Sequence, residues 1–479
     1  MKSDDAAQPP NRPLKLVWFS LLSALVGVVA GLGAVVFRGL IALFHNLLFS
    51  GKWSAVYDAN VHTPPSPWGP GVILVPVLGA VMVAFLVKTF APEAKGNGVP
   101  EVMDAIYYHG GRIRPVVALV KSLASALSIG SGGSAGREGP IIQIGSSFGS
   151  TIGQLLRLPA WQRTTLIAGG AGAGIAATFN TPVGGVLFAL EIMMREVSVR
   201  TLVPVAIATA MGINVFEFFF GTHPSFVIPA LEVPYIHPAN PLVLLAYVGL
   251  GLLMGGVSAL FIKAIYATED FFEQRVGGSY YRQHLCGMFF VGLIIYGMMV
   301  ATGHYYVDGV GYSTVQEILS GAPIPLLLLA VLFGFKLLAT ALTLGSGASG
   351  GIFSPALFLG ATLGAAYGTV LIHFFPDLGS SASAFAVAGM AGVVGSATGA
   401  ALAAIVMIFE MTLDYNVIVP MIITVAISYG IRKALSPESI YTMKLARRDH
   451  YVPDALYARR QLTQRVEKNE RPERNSRHG

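Results

Sequence analysis

Charge is what this chain has least of. Of its 479 residues only 12% are Asp, Glu, Lys or Arg, about half the share an ordinary soluble domain carries. Cysteine is almost absent. Cys286 stands alone, which excludes an intramolecular disulfide framework and any multi-cysteine metal site. The ten histidines show no HExxH spacing and no GxxxxGK[ST] phosphate loop occurs, so no cofactor, metal or nucleic-acid partner is expected. No cleavable signal is expected either: residues 1–13 are polar and proline-rich, and the apolar run behind them is too long for an h-region.

Apolar residues make up 54% of the chain, so it reads as an all-α, polytopic membrane protein in a lipid bilayer. Apolar runs lie near 14–44, 70–90, 115–129, 141–157, 165–194, 201–220, 242–266, 285–302, 323–344, 352–374, 384–412 and 416–434. Several are too short or too glycine-broken to cross ~30 Å of hydrocarbon as one straight helix, so some helices should stop inside the membrane. The stretches 51–69, 221–241 and 266–283 are more polar. Basic residues flank the first run and fill the tail, where 442–479 holds ten Lys/Arg against five Asp/Glu. The positive-inside rule then puts both termini in the cytoplasm.

An internal repeat organises the chain. VKSLASALSIGSGGSAGREGP at 120–140 and FKLLATALTLGSGASGGIFSP at 335–355 share eleven identities in 21 positions, Lys121/Lys336 and Pro140/Pro355 among them. AGGAGAGIAAT at 168–178 matches AGMAGVVGSAT at 388–398 in six of eleven. Each member of this second pair is followed by an apolar helix ending in a glutamate, Glu191 or Glu410. The expected division is a polar segment 1–13, a first membrane repeat 14–225, a proline-rich linker 226–241, a second repeat 242–441 and a basic tail 442–479. Duplication with interrupted helices is the build of many transporters.

The breaks have their own chemistry. Gly96-Asn97-Gly98-Val99-Pro100, Gly136-Arg137-Glu138-Gly139-Pro140 and Gly351-Ile352-Phe353-Ser354-Pro355 each close on a proline suited to a helix's first turn. A helix beginning there points unsatisfied N–H groups and a partial positive charge into the break. Three such ends meeting at one place would hold an anion without a fixed cation, which suits conduction through weak, successive sites. Glu138 is the one carboxylate inside these segments, and an intramembrane acid marks function by default. Ordinary alternatives stand beside this reading: Glu138 as a buried acid paired with Arg137, and Ile352 and Phe353 as core.

These motifs resemble the CLC family of chloride channels and chloride/proton exchangers. The resemblance covers about residues 15–445 and rests on GNGVP at 96–100, GREGP at 136–140, GIFSP at 351–355, the FNxPxxGxLFxxE pattern from Phe179 to Glu191, EMT at 410–412, and Tyr441 in Ser439-Ile440-Tyr441-Thr442. It implies two inverted-topology repeats of tilted and broken helices, one pore per subunit and a homodimer. It makes Glu138 the gating and proton-transfer carboxylate. Asn97, Ile352, Phe353 and Tyr441 become chloride-binding residues, and Gly96, Gly98, Pro100, Gly136, Arg137, Gly139, Pro140, Gly351 and Pro355 the filter frame. Lys121, repeated by Lys336, would raise the local potential.

Two positions depart from the family's pattern. Asn97 stands where chloride-selective members commonly carry serine, which leaves selectivity among chloride, nitrate and other small anions open. Ile192 follows Glu191 where many exchangers carry a second, inward-facing glutamate, so that proton site is lost. Ile192 favours a gated chloride channel with Glu138 as its gate, and that is the first reading of this sequence, with exchange as the alternative. The lack of regulatory CBS domains and the compact, prokaryotic build favour an antiporter exchanging chloride for protons, in a bacterial cytoplasmic membrane. A membrane-embedded enzyme using Glu138 and a histidine is a remote alternative, and a cation transporter would need acids at the other breaks.

Overall fold

The computed structural model describes residues 13–195, 197–222, 225–226 and 241–453. The first half builds α1 (Leu16–Ser50), α2 (Val75–Phe90), α3 (Val99–Tyr107), α4 (Val116–Gly130), α5 (Glu138–Leu155), α6 (Ala160–Phe179), α7 (Pro182–Phe188) and α8 (Val199–Phe220). The second builds α9 (Pro241–Phe271), α10 (Tyr280–Thr302), α11 (Tyr312–Leu319), α12 (Leu326–Gly345), α13 (Phe353–Phe374), α14 (Ala382–Thr398), α15 (Ala401–Thr412) and α16 (Ile418–Leu435), followed by a short α17 (Thr442–Ala446). Among the described residues there is no β-strand, only two isolated bridges. Among the described residues eight helical segments are long and apolar enough to cross a membrane. The linker expected at 226–241 falls outside the described residues except for its two end positions.

Two apolar runs that read as single segments prove to be two helices each. The run 165–194 breaks after α6 at Asn180, which takes a left-handed φ of 58°, and Pro182 restarts it as α7, which ends in a π turn over Ala189–Met194. The run 384–412 breaks at Gly399, with φ of 81°. Hydropathy does not register a one-residue reversal of the backbone. The polar stretch 266–283 is largely helical as well. Its charges Glu269 and Asp270 end α9 and are met by Lys444 and Arg447 of the α17 segment.

Element by element, α1–α8 correspond to α9–α16. At the corresponding crossings of α5 with α6 and α13 with α14, glycines let backbones touch, as close helix packing in lipid requires. A Cβ at Gly145 or Gly170 would stand 2.1 Å from the other's carbonyl oxygen, and one at Gly360 or Gly389 would stand 2.4 Å away.

The repeats run in opposite senses. Glu191, just past α7, accepts the Leu402 and Ala403 N–H groups at the start of α15 at 3.2 and 2.8 Å. Glu410, late in α15, accepts the Val183 and Gly184 N–H groups at the start of α7 at 2.9 and 2.8 Å. Each helix therefore ends where its repeat mate begins, so the mates are antiparallel. Each carboxylate also satisfies amides that the opposite helix leaves unbonded and complements its dipole.

Candidate functional site

Backbone hydrogen bonds stitch the three glycine-bearing breaks together. The Gly96 N–H donates to Ala348 O at 3.0 Å and the Gly350 N–H to Gly96 O at 3.2 Å. Gly136 and Gly351 exchange N–H···O bonds of 2.8 and 2.6 Å. The starts of α3, α5 and α13 thereby meet at one point, with Pro100 at the second position of α3 and Pro140 and Pro355 at the third positions of α5 and α13. Gly98 turns the chain into α3 with φ of 90°, a conformation open to glycine.

Glu138 opens α5 and is 1% exposed. Its carboxylate lies across the start of α13, where Oε2 accepts the Ser354 N–H at 3.3 Å. Oε1 accepts the Tyr312 hydroxyl at 2.5 Å and also meets Ser354 Oγ. Gly136 makes the room, since a Cβ there would sit 2.1 Å from Glu138 Oε2. Arg137 is not its partner. The guanidinium donates to Thr178 O at 3.1 Å and lies 5.2 Å from the centre of the Tyr312 ring.

Ile352 and Phe353 stand directly before Ser354, whose N–H meets the Glu138 carboxylate. Ile352 and Phe353, each 2% exposed, carry α13's first turn, and the Phe353 ring packs 5.0 Å from that of Phe179. Asn97 Oδ1 accepts the Val99 N–H at 2.9 Å in a turn leading into α3, so the amide oxygen is engaged and the NH2 group is the end that can face an anion. Tyr441, 2% exposed, precedes α17 beside Ile440, whose carbonyl accepts the Tyr266 hydroxyl at 2.7 Å. Ile192 is buried in the π turn after α7 and offers no group that binds a proton.

Lys121 holds the first break in shape. Its Nζ donates to Ala94 O at 3.1 Å and Gly96 O at 2.7 Å. Lys336 does the same for Val307 O and Gly309 O, both at 3.0 Å. The carbonyls of 307 and 309 correspond to those of 94 and 96, which makes α11 the repeat mate of α3. This fourth helix start, with Tyr312 as its first residue, escaped the sequence reading. The signal was Gly309-Val310-Gly311 matching Gly96-Asn97-Gly98, with Ser313 in the place of Pro100.

Two cavities approach the seat. One of about 520 Å³ is lined by Arg38, Arg137, His45, Asp58 and Tyr312. The other, about 220 Å³, is lined by Asn97, Gly98, Ile352, Ile440, Lys444 and Arg448. At the rim of the second, Arg448 grips Glu101 of α3 at 2.6 and 3.1 Å, and Arg447 grips Asp270 at 2.7 and 3.0 Å. Those hydrogen bonds raise both guanidinium pKa values above the ordinary arginine value.

A family model described as voltage gated chloride channel matches residues 79–433. The chain belongs to the CLC family. Among CLC proteins it is 34% identical over 447 residues to the H(+)/Cl(-) exchange transporter ClcA of Yersinia pestis bv. Antiqua (strain Angola), covering 91% of this chain and 89% of that protein. It is 34% identical over 449 residues to ClcA of Citrobacter koseri, covering 92% and 90%. A slow cyanobacterial Cl-/H+ antiporter superposes with a TM-score of 0.75 at 26% identity, over 90% of this chain and 98% of that one. A CLC-type fluoride/proton antiporter shares the fold, with a TM-score of 0.72 at 24% identity over 89% and 97% of the two chains.

Proposed function

We propose that this chain exchanges chloride for protons across a bacterial cytoplasmic membrane, with Glu138 as both gate and proton carrier. The carrying observation is the seated carboxylate: an anionic group held at the start of α13 by an N–H and two hydroxyl groups, with Arg137 engaged elsewhere. That is the coordination a chloride ion would take, so Glu138 and chloride compete for one place. Protonation removes the charge that holds the carboxylate there and frees the place for the ion. Asn97, Ile352, Phe353 and Tyr441 line the ion's approach from the side of the tail, which is cytoplasmic in this reading. Both cavities are lined by one chain, which fits a homodimer with one pore per subunit.

Exchange is preferred to the gated channel that Ile192 suggested by itself. The relatives named as exchange transporters align with nearly the whole chain, and one missing acid does not remove the carrier at position 138. Ile192 cannot take a proton, so in this reading a proton reaching Glu138 from the tail side does not pass through that position.

The test is reconstitution into liposomes under a chloride gradient. Protons driven uphill by that gradient support exchange, and robust chloride flux with no pH change refutes it. Glu138→Ala should leave chloride flux without proton movement. Coupling that survives this change would show that the gate lies elsewhere.

A further inference from the structure

We infer that Tyr312 is the latch of the gate on the side away from the tail: its phenol holds the seated Glu138 carboxylate, and its ring forms one wall of the larger cavity that approaches the seat. Three observations carry this. The hydroxyl donates to Glu138 Oε1 at 2.5 Å, and Ser354 Oγ lies 2.8 Å from the same phenol oxygen while also meeting Oε1. The ring is 2% exposed, is packed 5.3 Å from Phe226 and 6.4 Å from Phe179, and has the Arg137 guanidinium 5.2 Å from its centre. Tyr312 also lines the larger cavity that Arg137 and Arg38 line.

The ring's place is fixed by α11, whose preceding loop Lys336 anchors through the Val307 and Gly309 carbonyls. Tyr312 therefore cannot follow the carboxylate out. When Glu138 leaves, the phenol stays and its O–H points at the vacated place. A donor fixed there serves the ionised carboxylate and an incoming anion alike, and does nothing comparable for a neutral carboxylic acid. It is a positioning residue that acts through Glu138. The charged and titratable groups near Glu138 are Tyr312 from α11, Lys336 from α12 and Tyr441 ahead of α17, with the Arg137 guanidinium turned to Thr178 O and the Tyr312 ring.

The inference rests on Glu138 being the gate, and the experiment separates the two. Chloride flux and proton coupling are measured against pH in liposomes for Tyr312→Phe, which keeps the packing and removes only the O–H. The interaction lost is made by the ionised, seated carboxylate, so the pH of half-maximal flux should move up by about one unit. Replacing Tyr312 by 3,5-difluorotyrosine, a stronger donor, should move it down. In a Glu138→Gln background, Tyr312→Phe should leave the flux profile unchanged. A profile that does not move in Tyr312→Phe, or one that moves equally in the Glu138→Gln background, overturns the latch. If Glu138→Gln alone transports like the unaltered protein, the gate reading fails instead.

Discussion

Gly136→Ala tests the seat itself. The added methyl carbon would stand 2.1 Å from Glu138 Oε2 and 3.1 Å from both Ser354 N and Ser354 Oγ. Ser354 N belongs to α13 and cannot retreat, but the carboxylate is the end of a flexible side chain and can. The strain therefore relaxes by expelling Glu138, with little change in the backbone. Expulsion forfeits hydrogen bonds from Tyr312 and Ser354 to a charged group, each contributing about 1.5–3 kcal/mol. Losing about 3 kcal/mol from the seated state lowers its population on the order of a hundredfold. Gly136→Ala should thus behave like a protein whose gate stands open: chloride flux that no longer rises on acidification, and weakened proton coupling. Flux and coupling measured in liposomes, on protein that elutes as the unaltered protein does, decide it. If Gly136→Ala folds normally and keeps both the wild-type pH profile and the coupling, Glu138 does not occupy this place and the argument fails.

Other consequences follow from the same geometry. Glu410→Ala leaves the Val183 and Gly184 amides at the start of α7 uncapped and should cost about 1–2 kcal/mol of stability, read as a lowered thermal midpoint in detergent; Glu191→Ala should cost a similar amount, and a large disparity would refute the reciprocal cap. Lys121→Met strips the partner from the Ala94 and Gly96 carbonyls and should weaken chloride binding about tenfold by calorimetry. Lys336→Met disturbs the loop before α11, so it should change the pH profile more than chloride affinity; equal effects from the two lysines would count against this division of labour.

The parts of this architecture that showed in the sequence are those carried by residues with special backbones. Prolines 100, 140 and 355 mark helix starts because a proline lacks the N–H that the first turn leaves unused, and the glycines around them mark the breaks. The repeat was legible because Lys121/Lys336 and the glycine pattern recur in order. What stayed hidden depends on tertiary contact. Tyr312 and Ser354 reach Glu138 from 174 and 216 residues away, and no local pattern announces a hydroxyl aimed at a distant acid. The start of α11 lacks a proline, and its offset from α3 differs from that of the longer repeat match. The breaks at Asn180 and Gly399 lie inside apolar runs, where composition does not change across the break. The pairing of Arg137 with Glu138, suggested by adjacency, fails because neighbours at the mouth of a helix point apart.

Inverted duplication supplies a scaffold with two equivalent halves, but directional transport needs halves that differ. The lysines retain the symmetry, each holding two corresponding carbonyls. The side chains at the helix starts break it. In the repeat alignment Val99 corresponds to Tyr312 and Pro100 to Ser313, while Glu138 corresponds to Phe353. Where α3 presents a small residue and the amide of Asn97, α11 presents a ring that fills the equivalent space and donates to the carboxylate. Where α5 begins with an acid that can move and change charge, α13 begins with an aromatic ring packed on Phe179 that can do neither. One seat therefore meets a titratable barrier on one side and an apolar one on the other. In the proposed exchange a proton acts only on the first, so protonation would change access to the seat from one side and leave the barrier on the other as it was.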